Sequence, residues 1–257
     1  MSQPDYGLDA PPVVRNLVVA AAVGLGLWAG AAAGLWSGAV RIPLGADELR
    51  VRLAPAGVSI GAACLVMALW MIWSSKVGKV RERERLLDTL VWRGDEQVLD
   101  VGCGRGLMLI GAARRLGSGH ATGIDLWRTE DLAGNAPEAT LANAAAEGVR
   151  ERVSLKTGDM CILPFGDASF DVILSQAAVH NVPQAAGRRR AVAEMGRVLR
   201  PGGTILLADI RHIGEYADVL RRQGLDAKVE GSAIGRTFLG MLTFGALRPG
   251  MVRARRR

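Results

Sequence analysis

VLDVGCGRG, residues Val98–Gly106, is the stretch that decides the fold of this 257-residue chain. Three apolar β-formers and one acid run into glycines at alternate positions, Gly102, Gly104 and Gly106. A strand that ends this way turns sharply and lets a ligand approach its backbone, because glycine accepts positive φ and has no Cβ. In an open parallel sheet, nucleotides bind in the crevice at the carboxyl end of such a strand.

The segments that follow sharpen this reading. A second strand-like run, Ala121–Leu126, carries an acid, Asp125, nineteen residues after Gly106. An acid at that distance can accept hydrogen bonds from both hydroxyls of a ribose lying across the turn. A third, Val153–Asp159, is followed by Met160, and its Asp159 can accept from an exocyclic adenine amine. Then come LPFGDASFDVILSQ (Leu163–Gln176) and RVLRPGG (Arg197–Gly203), which leads into the strand TILLADI. A dinucleotide fingerprint would place its third glycine three residues after the second, whereas Gly106 follows Gly104 by two. Asp100 also puts an acid inside the first strand, where a dinucleotide fold usually has an apolar residue.

These motifs, in this order, resemble those of class I S-adenosylmethionine-dependent methyltransferases, and above all the small-molecule branch that includes the ubiquinone/menaquinone-type enzymes. The resemblance runs from about Glu84 to the C-terminus, and Arg105 is larger than the family's usual residue there. It implies an α/β fold, a Rossmann-like methyltransferase sheet flanked by helices, with S-adenosylmethionine as cofactor. The implied cofactor site comprises Asp100, Gly102, Cys103, Gly104, Gly106, Asp125, Leu126, Trp127, Asp159, Met160, Ser175 and Gln176. In that site Asp100 organises the turn and the methionine end, and Trp127 packs on the adenine edge. The reaction is an in-line displacement at a sulfonium methyl, for which the protein chiefly supplies orientation, worth roughly 7–11 kcal/mol. A general base is needed only for a phenol, a hydroxyl or an acidic carbon, and belongs on the loops after the fourth and fifth strands. His180, Asp209 and His212 are the candidates there. An imidazole with a pKa of about 6.5 suits a base at neutral pH.

Strand-like and helix-like segments alternate after Lys79, as in a parallel sheet wrapped by helices. Helices are expected over Val80–Trp92, Leu107–Leu116, Pro137–Glu147, Arg188–Leu199 and Glu215–Gln223. Strands are expected over Gln97–Val101, Val153–Thr157, Phe170–Ser175 and Thr204–Ile210, with two more in the tail. The apolar run Thr237–Leu247 is expected at the mouth of the substrate pocket.

The N-terminal third is different. Leu17–Val40 and Leu53–Ser75 are uncharged runs of 24 and 23 residues. About 20 apolar residues span a hydrocarbon core of ~30 Å, so both are long enough to be transmembrane helices. Gly26, Gly30, Gly34 and Gly38 recur every fourth residue, and Gly57 and Gly61 offer a matching face. Such a stripe permits close helix packing and also offers a face for a homodimer. Trp70 and Trp73 suit an interfacial belt. Asp5 and Asp9, with only Arg15 as a basic flank, argue against a cleaved signal peptide. The expected organisation is a tail over 1–16, a two-helix membrane hairpin over 17–75, a basic linker and leading helix over 76–93, and the methyltransferase domain over 94–257.

Lys76, Lys79, Arg81, Arg83 and Arg85 crowd the exit of the second span, against Arg41, Arg50 and Arg52 in the connecting loop. That bias puts the catalytic domain on the cytoplasmic face of the cell membrane. Four basic and four acidic residues precede Lys76, so the whole net charge of +7 falls beyond the hairpin. Arg188-Arg189-Arg190 and the tail Arg253–Arg257 read as a solvated helix face and tail rather than a nucleic-acid site, since no aromatics are interleaved. Three cysteines without ligand spacing imply neither a disulfide framework nor a metal site. The expected function is methylation of a small lipophilic acceptor at the membrane. The alternative is a membrane scaffold or sensor whose S-adenosylmethionine domain does not turn over.

Overall fold

Pro11 and Pro12 open the first helix at positions where a missing N–H costs nothing, and the apolar run behind them extends it as α1 (Pro11–Ala32). The computed structural model describes residues 3–8, 10–44, 47–129, 132, 134–231 and 249–257. After α1, Gly34 and Gly38 take left-handed backbone, with φ of 73° and 71°. The chain turns there into an antiparallel ribbon, β1 (Ala39–Leu44) and β2 (Asp47–Arg52). Helix α2 (Leu53–Trp73) follows, then a π-helical turn and α3 (Lys79–Leu87). Helices Pro11–Ala32 and Leu53–Leu87 are both long and apolar enough to cross a membrane.

The glycine stripe is corrected by this geometry. Helix α1 ends before Gly34 and Gly38, so the expected face is reduced to Gly26 and Gly30, and Gly30 already faces Trp36. The close contact runs through Gly24 instead. A Cβ on Gly24 would lie 2.5 Å from the Gly57 carbonyl oxygen, and one on Gly61 would lie 2.9 Å from the Leu25 nitrogen. Four-residue spacing marks one face of a helix, but it does not show where the helix ends.

The chain divides into two units, residues 7–79 and a second in which residues 3–6 join 80–257. The second unit is a seven-stranded sheet of β3 (Gln97–Val101), β4 (His120–Asp125), β5 (Val153–Thr157), β6 (Phe170–Gln176), β7 (Leu199–Asp209), β8 (Asp226–Glu230) and β9 (Gly250–Arg255). Its order is β5-β4-β3-β6-β7-β9-β8, with β9 antiparallel to both neighbours and the first five strands parallel. The central strands are buried on both faces, which explains their continuous apolar runs. Helices α4 (Leu107–Ala113), α5 (Pro137–Ala146), α6 (Ala185–Val198) and α7 (Ile213–Arg222) flank the sheet. Two apolar cores result, one around α6 and α7 and one around α3 and α4. The chain leaves β3 on one side for β4 and returns on the other for β6, so a switch point opens at the carboxyl end of β3.

Several basic residues read as solvated are structural. Arg253 and Arg255 belong to β9, inserted between β7 and β8 with Val252 and Ala254 fully buried. Arg253 pairs with Glu230 at 3.0 Å, and Arg256 donates to the Leu199 carbonyl at 2.6 Å. Arg188 is buried and donates to the carbonyls of Val182 and Pro183. Arg83, expected among the cations of the membrane exit, is only 1% exposed. Its guanidinium meets Glu147 at 2.9 Å and Glu84 at 2.7 Å, and donates to the Tyr6 hydroxyl at 3.0 Å. The apolar run Thr237–Leu247 lies outside the described residues.

Removing Arg83 leaves Glu147 without its buried partner. Arg83→Ala is expected to cost about 3–5 kcal/mol in urea unfolding of the detergent-solubilised chain. Arg85, 80% exposed beside Glu82, is expected to change stability by at most about 1 kcal/mol when replaced by alanine.

Candidate active site

The turn after β3 takes the form that its glycines allow. Gly102, Gly104 and Gly106 have φ of 72°, 49° and 84°, so all three hold left-handed backbone. A Cβ at Gly102 would lie 2.3 Å from the Ala178 Cβ, and one at Gly106 would lie 2.8 Å from Thr140 Cγ2. Beneath the turn, Asp100 is buried and its carboxylate accepts from the Leu109 amide at 2.8 Å. Burial pushes its pKa up to about 7, against the pull of the Leu109 amide, and nearby Asp125 raises it further. Cys103 is buried in the turn, and burial together with Asp100 lifts its thiol well above the ordinary range. Such a thiol is disfavoured as a nucleophile, because the thiolate is the reactive form.

Asp125, at the end of β4, faces this turn. One carboxylate oxygen accepts from the Gly104 amide at 2.8 Å; the other accepts from Trp127 N at 2.7 Å and Asn135 Nδ2 at 3.2 Å. The Trp127 indole donates to Thr157 Oγ1 at 2.9 Å, which fixes the ring against β5. Asp159 is exposed and forms a local turn by accepting from Cys161 N. The end of the Met160 side chain lies 3.4 Å from where a Gly102 Cβ would sit, and Leu126 is exposed. Ser175 differs from expectation: its hydroxyl donates to the Val101 carbonyl at 2.8 Å and ties β6 to β3, so it is engaged inside the sheet. Beside it, Gln176 Oε1 is buried without a partner among the described residues, as is Asn135 Oδ1. Two orphaned buried acceptors at the sheet edge fit a ligand that carries hydroxyl or ammonium donors.

Residues on α5 that the sequence did not single out complete the turn. Thr140 Oγ1 donates to the Gly104 carbonyl at 2.7 Å, and Asn143 Nδ2 donates to the Arg105 carbonyl at 2.9 Å. Asn143 also bonds both backbone groups of Asp5, whose carboxylate pairs with Arg105 at 3.1 Å. Their one sequence signal is that two polar residues, three apart, interrupt an alanine-rich helix.

Of the three candidate bases, the structure brings two together. His180, on the turn after β6, places Nδ1 at 2.5 Å from Asp209 Oδ1, at the end of β7. A carboxylate oxygen accepts, so Nδ1 is the nitrogen that donates in this pair. Asp209 is buried, and its carboxylate is engaged by several donors. It also accepts from the His180 and Ile210 amides at 3.0 and 2.7 Å and from the Tyr216 hydroxyl at 3.2 Å. His212 is directed elsewhere, with Nδ1 3.8 Å from Glu215. Burial and the Arg188 cation push its pKa down. Among the described residues no group of three or more His, Cys, Asp or Glu could hold a metal ion.

This geometry agrees with what the chain is similar to. Residues 99–207 match the family model described as a methyltransferase domain. Methyltransferase GfsG of Streptomyces halstedii is 35% identical over 139 residues, covering 54% of this chain and 46% of that protein. The ubiquinone/menaquinone biosynthesis C-methyltransferase UbiE of Roseobacter denitrificans is 31% identical over 131 residues, 51% of this chain and 49% of that protein. The chain thus spans about half the length of these curated relatives. In fold it is similar to geranyl diphosphate C-methyltransferase from Streptomyces coelicolor, with a TM-score of 0.55 and 17% identity over 77% of this chain and 85% of that one. The chain carries a methyltransferase domain on a Rossmann-like sheet.

The buried acid generates a pH test. A carboxyl raised by burial stays protonated in the folded state where the unfolded chain has already ionised. Stability is therefore expected to fall as pH rises from about 4 to about 7 and to level off above. Asp100→Asn is expected to flatten that slope, read by thermal unfolding across the range.

Proposed function

We propose that the protein is a membrane-anchored S-adenosylmethionine-dependent methyltransferase whose acceptor is small and lipophilic. The observation that carries the enzymatic part is the His180–Asp209 pair at the same sheet edge as the glycine turn. An imidazole oriented by a carboxylate beside the glycine turn supports turnover over sensing alone.

Gly102–Gly106 would hold the methionine end of the cofactor, and Asp125 its ribose hydroxyls. Asn135 and Gln176 would offer their buried acceptors, while Leu126, Trp127, Asp159 and Met160 would frame the adenine. S-adenosylmethionine supplies an electrophilic methyl group on a sulfonium. The chain's own part is orientation and proton handling. His180 Nε2 takes the proton from an acceptor hydroxyl or acidic carbon, and buried Asp209 steadies the imidazolium that results.

Membrane anchoring is supported by the two long apolar helices and by the division of the chain. Residues 3–6 and 80–257 belong to one unit, so the segment between them leaves that body and returns to it, as a hairpin with two spans does. The remaining exit cations, Lys76, Lys79, Arg81 and Arg85, still outnumber those of the loop, which favours a cytoplasmic domain. Such an anchor supports a lipophilic acceptor, and UbiE is by its name a C-methyltransferase of ubiquinone/menaquinone biosynthesis.

Transfer of labelled methyl groups into a lipid extract tests the activity. His180→Gln is expected to lower kcat by about 10²–10⁴-fold without changing cofactor affinity, whereas Asp125→Ala is expected to weaken S-adenosylmethionine binding in a direct titration. Saturable binding with no turnover on any lipid fraction would favour a sensor. Release by alkaline carbonate would refute the anchor.

A further inference from the structure

The β1–β2 ribbon, at the loop end of the helical hairpin, has two unlike faces. Its register sets Arg41 opposite Arg50, Ala39 opposite Arg52 and Pro43 opposite Glu48. Side chains alternate along a strand, so these three pairs share one face. Val40 with Val51 and Ile42 with Leu49 form the other, which ends at the Leu44–Asp47 pair. There Val40, Ile42 and Leu49 are 44%, 43% and 48% exposed, a mostly aliphatic and half-exposed surface. A ribbon aliphatic on one side and basic on the other belongs where hydrocarbon meets water.

The basic face is held against its own repulsion. Arg41 lies 3.5 Å from Glu48, but neither Arg50 nor Arg52 forms an ion pair among the described residues. Like charges directly opposite one another destabilise an antiparallel pair. Arg50 and Arg52 line a cavity of about 550 Å³ whose other walls include Trp28 of α1, Ser37, and Pro55 and Val58 of α2. Two unpaired guanidiniums thus open onto a space whose remaining lining is largely apolar and aromatic.

We propose that this cavity binds the phosphate headgroup of an anionic membrane lipid. The inference rests on the membrane reading of the two helices. A guanidinium fork matches phosphate oxygens two at a time. The indole of Trp28 and the small residues at the helix ends would take the glycerol and upper acyl chain, as aromatic residues at a bilayer interface do. The exposed aliphatic face of the ribbon decides between a lipid and a free phosphate ion, since a soluble ion would leave that face in water. The occupant would neutralise the arginine face and hold the loop end of the hairpin in its leaflet.

The test uses the full chain in zwitterionic detergent, titrated with brominated phosphatidylglycerol or brominated phosphatidylcholine. Quenching of tryptophan fluorescence is read, and Trp28→Phe identifies its source. Wild type is expected to prefer phosphatidylglycerol by about thirtyfold, at roughly fivefold per arginine. Arg50→Gln/Arg52→Gln should abolish the preference, and Arg50→Lys/Arg52→Lys, which keeps the charge, should retain most of it. Wild type without a preference, a preference surviving in the glutamine variant, or equal loss in the lysine variant would overturn the site. Displacement of the lipid by inorganic phosphate would reassign it to a soluble anion. Alkaline carbonate extraction separates this proposal from the membrane reading. Protein released by carbonate fails both, whereas protein retained without a phosphatidylglycerol preference fails the site alone.

Discussion

The turn from β3 into α4 is the constraint around which the carboxyl edge of the sheet is arranged. Three glycines in left-handed conformation let the backbone fold back within five residues, and Ala178, Thr140 and Ile110 stand where side chains would have to go. Four side chains from three elements then hold the turn. Asp100 takes the Leu109 amide from below, Asp125 takes the Gly104 amide from β4, and Thr140 and Asn143 on α5 hold the carbonyls of Gly104 and Arg105. A loop fixed by so many backbone bonds is preorganised, so a ligand that meets it loses little further freedom on binding.

Strain gathers at the same edge. Trp127, Ala177 and His212 are non-glycine residues with φ of 59°, 51° and 60°, and they follow the ends of β4, β6 and β7. Each left-handed residue costs about 1–2 kcal/mol, so the surrounding structure must impose it. Asp125 holds the Trp127 amide, and the Ala177 amide donates to the Ala208 carbonyl at 2.9 Å. The last of these bonds also fixes the loop after β6 against β7, which sets His180 beside Asp209. Backbone strain and the histidine–carboxylate pair are therefore parts of one arrangement at the crevice.

Helix packing in the 7–79 unit follows another rule. The contact between α1 and α2 is made by backbones brought close at Gly24, Gly57 and Gly61, as residues with little or no side chain allow. Beyond that contact the ribbon sorts its residues by strand alternation. The sheet unit meanwhile takes hold of residues 3–6 through Asp5 and Tyr6, so a segment distant in sequence supports both the glycine turn and the buried Arg83 cluster.

Central strands, the glycine turn, the acids Asp100 and Asp125, and the two long apolar helices were all legible in the residues themselves. Their causes are local: apolar runs for strands buried on both faces, positive φ for glycine, and length for helices that could span a bilayer. Charge was the least legible property. Arg83, Arg188 and the terminal arginines carry the same cation as any solvated residue, and only tertiary contacts with Glu147, backbone carbonyls and Glu230 drew them into the fold. The candidate base was likewise undecided among His180, Asp209 and His212, because what orients an imidazole is a carboxylate brought next to it by the sheet, twenty-nine residues away along the chain. Glycine spacing named the wrong face of α1 because a period cannot say where a helix stops. The sequence by itself determined the turn and its acids, whose chemistry lies in a few neighbouring residues; only the tertiary structure decided which distant charges meet, because pairing depends on distances that the fold creates.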